Sequence, residues 1–370
     1  MRFGASCVTA CALVVLGAAS ATAAKPTLSG TQAAGSSWGN GMEPVLPANA
    51  SATRQDVEVH VACPSAGNCS AVGSYIDSSD NTEGLLLTET AGHWAPGVEA
   101  VPPGNPSTTP ASTSQYVSIS ALSCPSAGNC SAVGSYIDNS GNTEGLLLNE
   151  TAGQWASGVA AALPADAAAN PLVSLNDVSC TSVGNCSAVG TYNSGVGIFP
   201  GLLLTETAGT WATGVEAVLP ANARATYQAP DLRSVSCGSA GNCSAVGDYY
   251  DAAGMEGLLL NETAGSWSPG VEAVLPPSSG VQAPQINSVS CASAGNCTAV
   301  GEYAVGGAGL LLTETAGNWA PAVVAVPPAN SGGNVWLLNS VSCASAGNCA
   351  AVGSYFDTAG NQEGLLLNET

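Results

Sequence analysis

Positive charge is almost absent from this chain: five Lys and Arg stand against 26 Asp and Glu in 370 residues. Nucleic acid and anionic membrane surfaces are therefore excluded as partners, because no cluster of cations exists to displace their counterions. Histidine is limited to His60 and His93, too few for a His-rich metal centre. No nucleophile elbow, H-E-x-x-H motif or glycine-rich phosphate loop occurs, so no catalytic residue is nominated. A long hydrophobic run is missing as well. The apolar stretch at 5–19 is too short for a comfortable membrane span. Preceded by Met1-Arg2 and followed by Ala21-Thr22-Ala23, it reads as part of a signal peptide over 1–23, with a short leader at 24–30. The mature chain is expected to be secreted, extracellular, soluble and monomeric.

Repetition is what the chain has in plenty. Six copies of one sentence run through residues 31–370: L-x-S-V-S-C, five residues, C-S-A-V-G-S-Y, a polar loop, E-G-L-L-L-x-E-T-A-G-x-W, then G-V-E-A-V-L-P. Short strand-like runs at a period of 52 to 61 residues point to a radial all-β architecture. The last copy stops at Leu-Leu-Leu-Asn-Glu-Thr370, and its missing part stands at the other end as Ala34-Gly35-Ser36-Ser37-Trp38 and Met42-Glu43-Pro44-Val45-Leu46-Pro47. Joining the two completes six units. The expectation is a six-bladed β-propeller of four-stranded blades, closed by an N-terminal strand that removes the exposed sheet edges.

In each blade strand A is L-x-S-V-S-C, strand B is C-S-A-V-G-S-Y, strand C is G-L-L-L-x-E, and strand D carries the Trp and V-E-A-V. Glu43, Glu99, Glu216 and Glu272 on the outermost strand read as edge protection. Small residues of strand B, Ala71 and Gly73 in the first copy, read as places where neighbouring blades approach.

Twelve cysteines remain once Cys7 and Cys11 leave with the signal, in pairs six residues apart: Cys63/Cys69, Cys124/Cys130, Cys180/Cys186, Cys237/Cys243, Cys291/Cys297 and Cys343/Cys349. Zinc sites use tighter spacing and four converging ligands, so six local disulfides across the A–B hairpins are expected. Calcium is the one cofactor to weigh. Loops such as Asp138-Asn-Ser-Gly-Asn142-Thr-Glu144 and Asp357-Thr-Ala-Gly-Asn361-Gln-Glu363 space oxygen ligands closely, yet the same residues suit hairpin turns, which is the preferred reading.

The Tyr and Trp positions that recur in every copy read as inter-blade packing. The non-repeating residues are the candidates for binding. Spacings across the A–B and C–D turns are fixed, whereas second Cys to strand-C Gly varies from 12 to 15 and Trp to next Cys from 24 to 30. Length variation therefore falls on the B–C/D–A face, where Arg54, Tyr116, Phe199, Arg224, Tyr227, Arg233, Tyr250 and Trp336 also lie. Aromatics and a few Arg in an acidic surround suit an extracellular glycan or protein ligand. A propeller hydrolase, glycosidase-like or calcium-dependent, and a purely structural extracellular protein stand as alternatives.

The order A-V-G-x-Y, polar loop, strand, A-G-x-W resembles a kelch-type blade, although the usual glycine pair is replaced by Gly-Ser or Gly-Thr. The run Val117-Ser-Ile-Ser-Ala-Leu-Ser-Cys124-Pro-Ser-Ala-Gly-Asn-Cys130-Ser-Ala-Val is similar to secreted actinobacterial repeats reading S-V-S-C-P-S-x-x-x-C-x-A-V. That resemblance implies a secreted repeat fold and no particular activity. The Ala-Gly-x-Trp turn has a partial likeness to the sialidase Asp-box, without the Asp and one residue short.

Overall fold

A computed structural model describes residues 41–53, 57–104, 116–195, 197–226, 229–276, 283–303 and 307–369. The signal, the leader, Trp38, Arg54 and Tyr227 lie outside the described residues. Each copy of the repeat forms one antiparallel sheet in chain order, such as Glu58–Ser65, Asn68–Ile76 and Thr82–Thr90 in blade 1. The fold is an all-β, six-bladed β-propeller.

Strand C reads Leu-Leu-Leu because it is covered on both faces. Alternate residues of a strand point opposite ways, and each direction here meets another blade. Val72 and Leu86 of blade 1 pack with Ile119, Ala132, Tyr136, Leu146 and Leu148 of blade 2. The same set recurs between blades 2 and 3, 3 and 4, 4 and 5, and 5 and 6. Each fully buried Leu contributes about 2 kcal/mol by area removed from water. Tyr136, Tyr192, Tyr249, Tyr303 and Tyr355 are buried in this packing, as expected, and Trp155, Trp211, Trp267 and Trp319 are half-buried beside it.

Polar clamps lock the same interfaces. Glu150 of blade 2 accepts from Ser70 and Thr88 of blade 1, both at 2.7 Å. Glu262 does the same with Ser187 at 3.0 Å and Thr205 at 2.9 Å. Deeper in, the Ser before the first cysteine of blades 2 to 5 accepts the backbone N–H of the next blade's cysteine, as Ser123 does from Cys180 at 3.0 Å. The repeated S-V-S-C and L-L-L-x-E-T motifs are thus blade-to-blade fasteners.

All six disulfides form within their own pair, as expected: Cys63–Cys69, Cys124–Cys130, Cys180–Cys186, Cys237–Cys243, Cys291–Cys297 and Cys343–Cys349. They staple single A–B hairpins, and they also reach into the packing between blades. The second cysteine of each pair, Cys69, Cys130, Cys186, Cys243, Cys297 and Cys349, is buried rather than lying at the hairpin surface. Cys186 and Cys349 belong to the apolar clusters between blades, and so do Cys243 and Cys297. Their sulfurs rest against hydroxyls of the preceding blade: Cys186 Sγ lies 3.3 Å from Ser131 Oγ, and Cys349 Sγ 3.3 Å from Thr298 Oγ1. The bridges are therefore part of the inter-blade core as well as of their own hairpins.

The A–B and C–D turns share a face: Gly92 N–H donates to Gly67 O at 2.8 Å, and later blades repeat the bond. In the C–D turns, Ala and Gly both have positive φ, 50° and 80° for Ala208 and Gly209, the geometry of a two-residue type I′ hairpin. Alanine is ill suited to that region and Asn is tolerated. Ala208→Asn is therefore expected to stabilise by about 0.5–1 kcal/mol, read as a melting temperature higher by about 2 °C.

Three readings need correction. Strand D is not continuous: in blade 1 it is two short pieces, His93–Trp94 and Val98–Glu99, both paired with strand C. Glu99 and Glu272 are not simply edge charges. They accept from Tyr75 and Tyr249 hydroxyls at 3.0 Å, and from Asn49 and Asn222 at 2.7 Å, tying the outer rim to strand B. The strand-B glycine serves its own blade rather than the neighbouring one. Opposite it, strand A carries a β-bulge, and a Cβ on Gly134, Gly190, Gly247, Gly301 or Gly353 would sit about 2 Å from a strand-A carbonyl oxygen. Ala71 is buried with Tyr75, Leu85 and Leu87 of its own blade, and Leu46 and Ala50 of the N-terminal segment pack against this group.

The sixth sheet has three strands among the described residues, 331–345, 348–357 and 362–368. Val45 O accepts from Gly97 N–H at 2.7 Å, just as Val101, Ala162, Val218 and Val274 accept from the next blade, and Leu46 packs on blade 1. This part of the N-terminal segment thus occupies the place of a preceding blade's rim. The rest of the closing strand, 34–40, lies outside the described residues. Leu366 is 78% exposed where Leu86 is 2% exposed, so the seam between blades 6 and 1 does not repeat the other interfaces.

Candidate functional site

The β-bulge that demands glycine also builds the most unusual chemistry in the molecule. An extra residue in one strand re-aims its side chain, and here the residue four before the first cysteine is the one affected. It is Asn176, Arg233 and Asn287 in blades 3, 4 and 5. Each reaches across to the next blade. Asn176 Nδ2 donates to Leu232 O at 2.7 Å, and Asn287 Nδ2 donates to Leu338 O at 2.9 Å.

Arg233 extends this chain into a charged network. Its guanidinium lies 2.9 Å from Asp248 Oδ1 and 3.0 Å from Asp231 Oδ2 through Nη2, with Nε donating to Asp248 at 3.1 Å. Asp231 and Asp248 are direct partners across strands A and B. Nη1 donates to Asn287 Oδ1 at 3.3 Å, and Asn287 passes a short hydrogen bond on to Glu302. One Arg, one Asn and three carboxylates thus form a chain across blades 4 and 5 that ends on the blade 6 backbone.

Burial dominates the electrostatics. Asp248 is pushed up to about 6 by desolvation, against the pull of Arg233. Glu302 is pushed up to about 7, again by burial first, with Asn287 and Arg233 opposing. Burial thus favours the protonated form of both carboxyls, and of Glu302 more than of Asp248.

The exposed aromatics form pairs on the same face. Tyr250 follows Asp248 by two residues on strand B, and the Arg224 guanidinium stands 5.7 Å from its ring centroid. Trp336 and Phe356 of blade 6 meet edge to face at 5.3 Å. The Trp336 ring also covers Gly307 in the B–C loop of blade 5, where a Cβ would lie 2.7 Å from its Cε3. Tyr116 is exposed at the start of blade 2, and Phe199 is half-buried in blade 3, so neither joins these groups. The oxygen-rich loops are turns: Asp138 Oδ1 accepts from the backbone of Ser140 and Asn142, and Asp357 does the same in its own loop.

No family model matches the chain, and no curated protein matches it. Several solved propellers are similar in structure. An α-L-arabinanase of Penicillium chrysogenum shares 12% identity, with 88% of this chain and 96% of that chain covered and a TM-score of 0.46. The six-bladed fucose-binding lectin of Aleuria aurantia shares 10%, with 84% and 91% covered and a TM-score of 0.39. A polysaccharide lyase, an ulvan lyase, shares 11%, with 82% and 78% covered and a TM-score of 0.47.

Sequence reasoning selected Arg233 but missed Asp231, Asp248, Asn287 and Glu302. A signal was present. At the strand-B position of Asp248 and Glu302 the other copies carry Ser74, Ser135, Thr191 and Ser354, so these two acids depart from the repeat as plainly as the arginine does.

Proposed function

We propose that this protein is a secreted propeller that binds an extracellular glycan on its B–C/D–A face, over the Arg233–Asp248–Asn287–Glu302 network. The observation that carries this reading is the replacement of the repeat's small neutral residues by a connected donor and acceptor array at one place on an otherwise uniform scaffold. Sugar hydroxyls can donate to the carboxylates and accept from Arg233 and Asn287, while exposed aromatic rings nearby on the face suit their apolar C–H surfaces. The signal-like N-terminus, six disulfides and the lack of a membrane-crossing helix among the described residues support an extracellular setting.

The test is a glycan array followed by calorimetry on the best ligand. Arg233→Ala is expected to weaken binding at least tenfold, about 1.4 kcal/mol, with Trp336→Ala also weakening it and Tyr192→Phe, a buried packing residue, leaving it unchanged. A ligand whose affinity ignores both Arg233 and Trp336 would place the site elsewhere. A hydrolase is the second reading, favoured by Glu302, whose raised carboxyl suits a general acid. Turnover of aryl glycosides that vanishes in Glu302→Gln while binding persists would select it.

A further inference from the structure

The residue before each clamp glutamate alternates around the ring: Thr88, Asn149, Thr205, Asn261, Thr313, Asn368. The alternation changes the chemistry of the clefts between blades on the A–B/C–D face, away from Arg233. A Thr hydroxyl satisfies the clamp glutamate, as Thr88 does for Glu150 and Thr205 for Glu262, but offers the neighbouring indole no amide acceptor, and Trp155 Nε1 and Trp267 Nε1 stay buried without a partner. An Asn donates through Nδ2, as Asn261 does to Glu314 at 2.7 Å, and its amide oxygen then needs a donor of its own.

Between blades 4 and 5 that donor is Trp319. Its Nε1 donates to Asn261 Oδ1 at 3.1 Å, while Ser244 completes Glu314 at 2.8 Å. The indole is thereby fixed as one wall of a half-open cleft of about 640 Å³, floored by Asn261, Glu262 and Glu314, with Ser268 and Asn318 at the lip. Between blades 2 and 3 the equivalent atoms are left over. Asn149 Oδ1, Glu206 Oε2 and Trp211 Nε1 are buried without a hydrogen-bond partner, and Glu206 is 2% exposed. Asn149 and Glu206 line a second cleft of about 170 Å³.

We propose that these Asn-type clefts are a second class of binding site, for a neutral, pyranose-sized sugar ring, with the blade 4/5 cleft the larger one. No Lys, Arg or His lines either cleft, so an anion has nothing to pair with. The blade 4/5 cleft offers a fixed indole beside carboxylate oxygens, and the blade 2/3 cleft offers the unpartnered oxygens of Asn149 and Glu206, so a ligand must bring an apolar face and hydroxyl donors. A sugar ring carries both. The proposal shares the sugar chemistry of the Arg233 reading but not its residues, so either can fail alone.

The experiment is a titration of the intact secreted protein with methyl glycosides of glucose, galactose, mannose and N-acetylglucosamine, and with tetramethylammonium as a cationic probe. Tryptophan fluorescence and saturation-transfer NMR are the readouts. At least one glycoside is expected to saturate, with affinity falling tenfold or more in Trp319→Ala and in Ser268→Trp. The second variant fills the lip from an exposed position and keeps the test decisive if loss of the indole impairs folding. Arg233→Ala should leave this binding intact. The proposal is overturned if no glycoside saturates, if tetramethylammonium binds in their place, or if Ser268→Trp binds like the parent.

Discussion

Gly247→Ala is expected to be among the most damaging single-methyl changes available in this protein. The added Cβ would lie 1.8 Å from Asp231 O and 3.0 Å from Leu232 Cα, both backbone atoms of the paired strand, so no side-chain rotation can relieve it. The strand-A bulge must flatten or the two strands must part. Changes of this kind fall in the tail of mutational effects, here above about 3 kcal/mol, a loss of roughly 6–12 °C in melting temperature. Because the same bulge aims Arg233 at Asp248, the glycan binding proposed for that face should vanish with it, even at temperatures where the variant remains folded. Gly254→Ala in the same blade is the control, since nothing lies within 4 Å of its Cβ and the effect should be within error. Equal melting temperatures for the two variants would show that the bulge is not a constraint.

That pair of glycines also shows what the sequence could and could not reveal. Blade number, strand order and local cysteine pairing all follow from counting, because hairpin partners are a few residues apart and repeat six times. The inward placement of Cys186 and Cys349 does not, since it depends on the blade before each of them. The bulge does not follow from counting either. A shift of one residue reverses which way a side chain points, so a period-two reading of strand A assigns Arg233 and Asn287 to the wrong surroundings. Their partners are blade neighbours: Asn287 is 54 residues from Arg233, and Leu338 is 51 from Asn287. No local pattern links them. Departure from the consensus does work as a guide, since Arg233, Asp248 and Glu302 each replace something small. It fails for Tyr116 and Phe199, which depart from the repeat and yet stand apart from the network.

Stability is expected to fall as pH rises from about 5 to 8, the reverse of ordinary acid denaturation. In many proteins carboxylates gain partners on folding, and their pKa values drop. Here burial wins. Glu83, Glu256 and Glu302 are pushed up to about 7, and Asp177 and Asp248 to about 6. The clamp residues Glu206, Glu262 and Glu314 are raised by burial as well. The shifts fix the sign. A raised folded-state pKa means that the native protein binds more protons than the unfolded chain between the unfolded value, about 4, and the folded one. The stabilisation is complete below about pH 4 for these groups and is lost as pH climbs through 6 and 7. Asp138 and Asp357 shift the other way, but both are surface turn residues and offset little. Five basic residues cannot neutralise the carboxylates that ionise. One well-buried group shifted by two units is worth on the order of 2 kcal/mol, and several act together. Calorimetry across pH 4.5–8.5 should show the melting temperature falling by roughly 5–10 °C, with Glu83→Gln and Glu302→Gln each flattening the slope between pH 6 and 8. A melting temperature that rises over this range would mean that these carboxyls are ionised in the folded state without penalty, and that burial is not the force that sets their charge.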